Sequence, residues 1–434
     1  MLLHETRGRI DIMMRHFLFH YLTQPVSNMW MLDYVCFVCL LLTVSAKAGS
    51  GTSAQNHKSP QTKDLDPLLL RAARGEAVER VPVWMMRQAG RHMKAYRRID
   101  GSFLERTENP KIAAEISLQP WHAYRVDGVI LFSDILTPLP AMGIDYQVVN
   151  EQGIVIEPTI RTRRDFERLQ AHNFEPKESL KFVGEALQIL RTSLQGSSAT
   201  ILGFVGLPWT ILTYLVEGRT GTIDNFSETR KLMSSEPQLL RDLLDLLVKR
   251  LVQHALYQVE SGAQIVQLFD SWAGWLPREE YVAWALPYQT KVVQALKQRI
   301  PNVPLILFMA PMAYSQNGAY LNEIASTGVH VISIDHTIDA EKARKQLDDS
   351  GYPHVVLQGN LNPSTLSKGT RDEIVIETRK IISSLKPKGT SSPSLAYQKH
   401  IMNLGHGIEQ STPEDHAKLF VDTVQCSHES EEKQ

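Results

Sequence analysis

The chain has 434 residues, of which 43% are hydrophobic and 21% are charged, and its formal net charge is -1 at pH 7. It can therefore bury a substantial core, and its balanced charge argues against a nucleic-acid-binding protein, which usually carries a strongly basic domain or stripe. Three cysteines, Cys36, Cys39 and Cys426, lie outside the motifs described below, which excludes a disulfide framework or a thiolate-rich metal site among those motifs.

Residues 1–62 differ in character from the rest of the chain. They are basic at first, then apolar, and end in the polar linker GSGTSAQNHKSPQTK. The apolar stretch 34–44 is shorter than the about 20 residues that a membrane-spanning helix needs, and Ala46-Lys47-Ala48 after it resembles a cleavage site. We expect a plastid targeting segment here, with a cytoplasmic enzyme and an over-extended gene model as the alternative. Residues 427–434 are expected to be a disordered acidic tail.

Residues 63–426 repeat one theme, a short apolar run that ends in polar or small residues and is followed by a helical stretch. Unbroken apolar runs are typical of strands that are buried on both faces of a parallel sheet. The runs are VPVWMMR from Val81, DGVILFSD from Asp127, TILGFVG from Thr200, AQIVQLFD from Ala263, PLILFMA from Pro304, HVISIDH from His330, HVVLQGN from His354 and HIMNLGH from His400. They predict an α/β fold, a single-domain (β/α)8 TIM barrel. A doubly wound sheet is the alternative, disfavoured because no run is followed by a GxGxxG or Walker-type glycine loop.

Other elements are predicted between these runs. After the second run, GIDYQVV, the turn-forming NEQG and IVIEPTI predict a β-hairpin inserted in the barrel. Residues 178–194 carry leucine and valine at helical spacing, and Pro237 precedes a leucine-rich run that suits a helix with proline in its first turn.

The active site of such a barrel lies at the carboxyl ends of its strands, so the polar residues that end the runs are the candidates for chemistry. They are Arg87, Ser133, Asp134, Asp270, Ser271, Asp335, Asn360 and His406, with Tyr214 following the third run.

Two arginines, Arg87 and Arg91, lie four residues apart in PVWMMRQAGR. Guanidinium groups match carboxylates in shape and charge, so two of them facing one cavity can hold an acidic substrate. Surface ion pairs are the alternative.

Asp134 in VILFSDILTP is expected to face a partly desolvated pocket, where it can receive N–H donors, act as a general base, bind a metal or cap a helix. Tyr214 supplies one hydroxyl to an otherwise apolar wall, and His406 lies between two glycines in NLGHG. A purely structural role is the alternative for both.

PVWMMRQAGR and GFVGLPWTILTYLVEG resemble the two signatures of the uroporphyrinogen decarboxylase family, and FSDIL, QLFDSWAG, QGNL and NLGHG follow in the family's order, so the resemblance covers about residues 64–425. It implies removal of the four acetate carboxyl groups of uroporphyrinogen III to give coproporphyrinogen III in heme and chlorophyll biosynthesis. It further implies a homodimer that uses no cofactor and no metal. The catalytic residues that the resemblance implies are Asp134, Arg87, Tyr214 and His406. The substrate contacts that it implies are Arg87, Gln88, Ala89, Gly90, Arg91, Phe103, Ser133, Asp134, Tyr214, Ser271 and His406.

The chain departs from the family pattern at a few positions. His92, Met93 and Lys94 follow Arg91 where the family usually has tyrosine, leucine and proline, and Asn362 stands where aspartate is common. Two other functions remain open. One is a corrinoid or thiol methyltransferase-like barrel. It is disfavoured because such enzymes bind zinc through cysteine and the motifs above contain no cysteine. The other is a tetrapyrrole-binding paralogue without turnover.

Overall fold

The structure of this chain, a computed structural model, describes residues 66–149, 153–220, 225–386 and 399–427. The predicted targeting segment and almost all of the predicted acidic tail lie outside these residues. No helix in the described part of the chain is both long enough and apolar enough to span a membrane.

Seven parallel strands form one sheet, and all of their residues except Phe204 and Phe269 are buried. Their order in the sheet is β1 Gly128–Ile130, β4 Thr200–Gly206, β5 Ile265–Phe269, β6 Leu305–Phe308, β7 Val331–Ser333, β8 Val356–Gln358 and β9 His400–Ile401. Each coincides with part or all of a predicted run. Because every neighbour pair is parallel, all the strands point their carboxyl ends to the same side.

The first predicted run closes the barrel without forming a regular strand. Val83 bridges Met402 in parallel orientation, and the amide of Met402 donates to the carbonyl of Pro82 at 2.8 Å. On the other side, the amide of Asp127 donates to the carbonyl of Val83 at 2.8 Å. Residues 82–84 thus join the two edge strands of the sheet, and the predicted (β/α)8 barrel is confirmed.

The helices lie between the strands. Those in the described residues are α1 Leu68–Ala73, α2 Lys94–Arg97, α3 Phe103–Glu108, α4 Pro110–Tyr124, α5 Arg163–Ala171, α6 Pro176–Ser179, α7 Lys181–Ser193, α8 Pro208–Glu217, α9 Ser227–Ser235, α10 Pro237–Glu260, α11 Arg278–Trp284, α12 Leu286–Arg299, α13 Leu321–Ser326, α14 Ala340–Asp349, α15 Pro363–Lys368, α16 Arg371–Ser384 and α17 Glu414–Gln425. Pro237 lies in the first turn of α10, as predicted. Proline suits this position because a backbone amide there has no partner within the helix.

A two-stranded hairpin follows β1. Its strands, β2 Asp145–Val149 and β3 Gly153–Glu157, pair antiparallel, and the turn at residues 150–152 lies outside the described residues. The amide of Ile156 donates to the carbonyl of Gly218 at 2.8 Å, and the amide of Ile160 donates to that of Leu215 at 2.9 Å. The hairpin therefore braces the end of α8.

Two positions of departure from the family pattern have a defined local structure. Asn362 caps α15, its side-chain oxygen accepting a hydrogen bond from the amide of Ser364 at 2.9 Å. Asparagine and aspartate are comparably good at this position of a helix, so the exchange conserves the cap. His92 is buried against Tyr124, and burial lowers its pKa to about 4.

Candidate active site

Asp134 lies in a tight turn just beyond β1. This turn is at the mouth of the barrel, by which we mean the side where the strands have their carboxyl ends. Its Oδ1 accepts a hydrogen bond from the amide of Leu136 at 2.8 Å, and its own amide donates to the hydroxyl of Thr137 at 3.1 Å. Burial raises the pKa of Asp134, although the Leu136 amide and the positive charge of Arg87 both oppose that effect. The side chain is thus a partly desolvated carboxylate with few internal hydrogen bonds. No α-helix begins in this turn, so Asp134 is not a helix cap.

Arg87 lies in the turn at the end of the first predicted run, close enough for its charge to lower the pKa of Asp134. Its backbone adopts a left-handed conformation with φ of 61°, which is uncommon for a residue other than glycine. The turn is held from both sides, since the amide of Met86 donates to Oδ1 of Asn403 at 2.9 Å and the carbonyl of Met86 accepts from the amide of Ile408 at 2.9 Å. The charge of Arg87 affects the pKa values of Asp134, Tyr214 and His406, so these four residues share one electrostatic environment.

Tyr214 reaches this group from α8. It is 6% exposed, and burial together with the negative charge of Asp134 raises its pKa to about 12. Its ring packs edge-on against Trp272, with 5.8 Å between the ring centroids. The hydroxyl therefore keeps its proton at neutral pH and is available as a hydrogen-bond donor.

His406 completes the group from the loop after β9. Burial and the nearby charges of Arg87 and His336 lower its pKa to about 4. The imidazole is consequently neutral at pH 7, and its ring contacts Phe308 edge-on at 6.0 Å. The structure brings together the four residues predicted to be catalytic.

The predicted substrate contacts in RQAGR are placed differently from one another. Gln88 is fully buried, its Oε1 accepting from the amide of Met85 at 3.0 Å and its Nε2 donating to the carbonyl of Gly128 at 2.8 Å. Ala89 and Gly90 are half-buried beside it. Arg91 is exposed, and in the described residues its guanidinium makes no hydrogen bond with the four central residues. The side chain of Gln88 thus serves the fold, and contact with a ligand remains a prediction for this segment.

The other predicted contacts lie around the mouth. Ser133 hydrogen-bonds the hydroxyl of Thr137 at 2.9 Å, and Ser271 is half-buried just after β5. Phe103 begins α3 and packs edge-on against Phe132 at 5.5 Å, so it forms part of an apolar wall.

The side chains of three other polar residues at the strand ends form hydrogen bonds within the protein. Asp270 is fully buried and accepts three hydrogen bonds, from the amide and hydroxyl of Thr210 and from Gln289. Asp335 accepts from the amide and hydroxyl of Thr337. Asn360 donates to two backbone carbonyls, those of Asp335 and Ile338.

The sequence did not point to Tyr146, which the hairpin brings close to Asp134. Tyr146 lies on β2 and is 6% exposed. Burial, and secondarily the charge of Asp134, raise its pKa, while a hydrogen bond with Thr137 opposes this. The only sequence signal was one aromatic residue in the strand DYQVV, which does not reveal a tertiary contact.

Among the residues that the structure describes, no group of three or more His, Cys, Asp or Glu side chains is arranged to hold a metal ion.

Comparisons with known proteins match most of the chain. Residues 64–426 match the family model described as uroporphyrinogen decarboxylase. The uroporphyrinogen decarboxylase of Parasynechococcus marenigrum is 47% identical over 360 residues, covering 82% of this chain and 95% of that protein. That of Trichodesmium erythraeum is 43% identical over 361 residues, with the same coverage of both chains.

One solved structure is similar in fold. A methyltransferase from Methanosarcina mazei has a TM-score of 0.65 with 20% sequence identity, and the match covers 83% of this chain and 99% of that one. At this identity the likeness concerns the fold alone.

Proposed function

Because the chain belongs to the uroporphyrinogen decarboxylase family, we propose that it is a carboxy-lyase that converts the four acetate side chains of uroporphyrinogen III to methyl groups, giving coproporphyrinogen III and CO2 in porphyrin biosynthesis.

The observation that carries this proposal is the environment of Asp134. A carboxylate whose pKa is raised by burial is poorly stabilised in its ionised form and gains when new donors approach it. The pyrrole N–H groups of a tetrapyrrole are such donors. A ring that becomes cationic during the reaction would be stabilised further by the negative charge.

The chemistry needs a place for the electrons of the breaking bond. A pyrrole that is protonated on a ring carbon is a cation and can accept the electron pair released when the acetate C–C bond breaks. Protonation of the resulting exocyclic methylene carbon and loss of the ring proton then give the methyl group. Asp134 stabilises the cationic stage and takes no part in covalent chemistry.

The neighbouring side chains suit the binding of acidic groups. The guanidinium group of an arginine is a poor proton donor and a good partner for carboxylates, so the main role of Arg87 is to orient a substrate carboxylate. Tyr214 keeps its proton at neutral pH and can donate a hydrogen bond, and neutral His406 can do the same. We call the space beside Asp134 that these three side chains share the Asp134 recess, and they supply donors for carboxylate oxygens there.

Anaerobic incubation of the purified protein with uroporphyrinogen III tests the proposal. We expect coproporphyrinogen to accumulate, with or without a metal chelator, and chromatography of the oxidised products to detect it. A protein that binds the substrate and leaves it unchanged over many hours would be a tetrapyrrole-binding paralogue, and the proposal would be wrong.

We also propose that the protein is a homodimer, as the family resemblance implies. Light scattering of the purified protein tests this. A molar mass twice that of the chain is expected, and the mass of a single chain would refute it.

For the location we propose the plastid, on the basis of the basic, apolar and polar succession in residues 1–62. A fluorescent protein fused behind these residues should enter plastids. Uniform cytoplasmic fluorescence would favour the cytoplasmic alternative.

A further inference from the structure

Beneath the mouth of the barrel, the carboxylate of Asp270 is buried where no substrate can contact it. The residue is 0% exposed, and hydrogen bonds use both of its oxygens. Oδ2 accepts from Nε2 of Gln289 at 2.8 Å, and Oδ1 accepts from the hydroxyl of Thr210 at 2.6 Å and from its amide at 3.1 Å. A buried carboxylate is costly unless donors compensate it, so this site is built to hold its partners in place.

The hydroxyl of Thr210 both donates and accepts a hydrogen bond. The same Oγ1 that donates to Asp270 accepts a hydrogen bond from the amide of Trp272 at 3.1 Å. Thr210 belongs to the first turn of α8, and Trp272 belongs to the loop after β5. One hydroxyl group therefore ties the beginning of a helix to the end of a neighbouring strand.

The tie contributes to the placement of Tyr214. Tyr214 is four residues after Thr210, which places it one turn further along the same face of α8. Its ring rests edge-on against Trp272 at 5.8 Å, and the hydroxyl of Thr210 bonds the amide of Trp272 from the helix that carries Tyr214. Ser271, a predicted substrate contact, lies between Asp270 and Trp272 and is fixed by the same bonds.

We propose that Asp270 and Thr210 are positioning residues for the decarboxylation, which hold Tyr214 and the loop bearing Ser271 in register with the recess of Asp134. The inference rests on the proposed function. Neither residue touches the substrate. Their effect is geometric, because a displacement of about 1 Å in an active site can cost on the order of 100-fold in rate.

Thr213 provides a matched control for Thr210. It lies in the same helix, is 1% exposed, and donates its hydroxyl to the carbonyl of Thr210 at 2.8 Å. Thr210→Val and Thr213→Val therefore remove the same atom at the same depth, but only Thr210→Val removes hydrogen bonds between α8 and the segment after β5, namely those of its hydroxyl with Asp270 and with the amide of Trp272. Thr210→Ser restores the hydroxyl.

The experiment measures kcat and KM with uroporphyrinogen III, and thermal unfolding, for the full-length wild type and these variants. We expect kcat/KM to fall about tenfold or more in Thr210→Val and to stay within about twofold in Thr213→Val and about threefold in Thr210→Ser. Equal losses in the two valine variants, in proportion to their loss of stability, would overturn the proposal. So would a failure of serine to restore activity.

A double-mutant cycle with Tyr214→Phe tests whether Thr210 acts through Tyr214. In the phenylalanine background, Thr210→Val should cost less than about a third of what it costs in the wild type, because residues that act as one unit are not additive. Full additivity would contradict the mechanism. Absence of turnover in the wild type would refute the proposed function instead, so the two failures are distinguishable.

Discussion

Asp134 is distinguished from the other carboxylates at the strand ends by how little of its hydrogen-bonding capacity the fold uses. Asp335 accepts two bonds from Thr337, and Asp270 accepts three from Thr210 and Gln289. Among the bonds in the described residues, the side chain of Asp134 accepts one, from the amide of Leu136. A carboxylate with free acceptor capacity beside an arginine is suited to a ligand that brings its own donors.

Asp134→Asn should keep the fold and reduce kcat by about 100-fold or more, because the amide cannot stabilise a cationic ring as the carboxylate does. Steady-state kinetics with uroporphyrinogen III measures the effect. Asp335→Asn is the matched control, since asparagine can accept the same two bonds, and it should stay within a few-fold of the wild type. Near-normal turnover of Asp134→Asn would remove Asp134 from the mechanism.

Asp270 makes a second residue-scale prediction, on stability. Burial raises its pKa from 3.8 to about 6, despite the bonds from Thr210 and Gln289. Since the folded-state pKa lies above the unfolded one, the stability that protonated Asp270 contributes is fully present below about pH 4 and is lost as the pH rises through about 6. Asp270→Asn abolishes this dependence, so its free energy of unfolding relative to the wild type should improve by roughly 2 kcal/mol between about pH 4 and pH 8.

Chemical denaturation of both proteins across this range measures the change. A loss of unfolding free energy from altered hydrogen bonds in Asp270→Asn is the same at each pH. The change of the difference with pH therefore reports the titration of Asp270. A difference in unfolding free energy that does not change with pH would contradict the account of Asp270.

At the scale of elements, the loop after β9 contains two glycines with different roles. Gly405 is needed for packing, and Gly407 is needed for the position of Arg87. A Cβ at Gly405 would overlap the backbone of His336, which cannot move away. A Cβ at Gly407 would instead overlap Cδ of Arg87, a side chain that can shift only by leaving its position beside Asp134. The two glycines of NLGHG therefore have different purposes.

Gly405→Ala should lower the free energy of unfolding by about 1–3 kcal/mol, the usual cost of overpacking. Gly407→Ala should change stability less and reduce kcat/KM by about tenfold or more, because Arg87 is displaced. Denaturation and kinetics on both variants separate the effects. If Gly407→Ala loses as much stability as Gly405→Ala, the distinction fails.

The strands were predictable from the sequence where backbone pairing is uninterrupted. β4 spans Thr200–Gly206, as the apolar run predicts. VPVWMMR forms only a bridge at Val83, because side-chain amides take the backbone donors of the following residues. Gln88 accepts from the amide of Met85, and Asn403 accepts from that of Met86.

The site was predictable only in part, for a related reason. Strand ends identified Arg87, Asp134 and His406, because a parallel barrel gathers them at one side. The spacing of Arg87 and Arg91 did not predict their placement, since the left-handed turn at Arg87 interrupts any helical relation between them. Tyr146 reaches Asp134 through the fold of a hairpin, which no local pattern reveals.

For the whole molecule, the described residues contain a complete barrel whose base is covered by α1. Leu69 of that helix is fully buried, and it lies so close to Gly128 that a Cβ there would collide with it and with Leu202. The folded unit therefore needs α1.

A chain that begins at residue 64 should have the same thermal stability and turnover as the full chain. One that begins at residue 74 lacks α1 and should be several kcal/mol less stable, because burial of each large side chain contributes about 1.5–3 kcal/mol. Thermal unfolding of the two truncated chains tests this. Loss of stability in the longer one would place part of the fold within residues 1–63.

The central claim, that this barrel decarboxylates a tetrapyrrole at the Asp134 recess, is tested most directly by counting the carbon released. Uroporphyrinogen III labelled with carbon-13 in its four acetate carboxyl groups would be incubated anaerobically with the wild type and with Asp134→Asn. The account predicts four equivalents of labelled CO2 per substrate molecule from the wild type, and little within the same time from the variant. No labelled CO2 from the wild type, or equal release from both proteins, would contradict it.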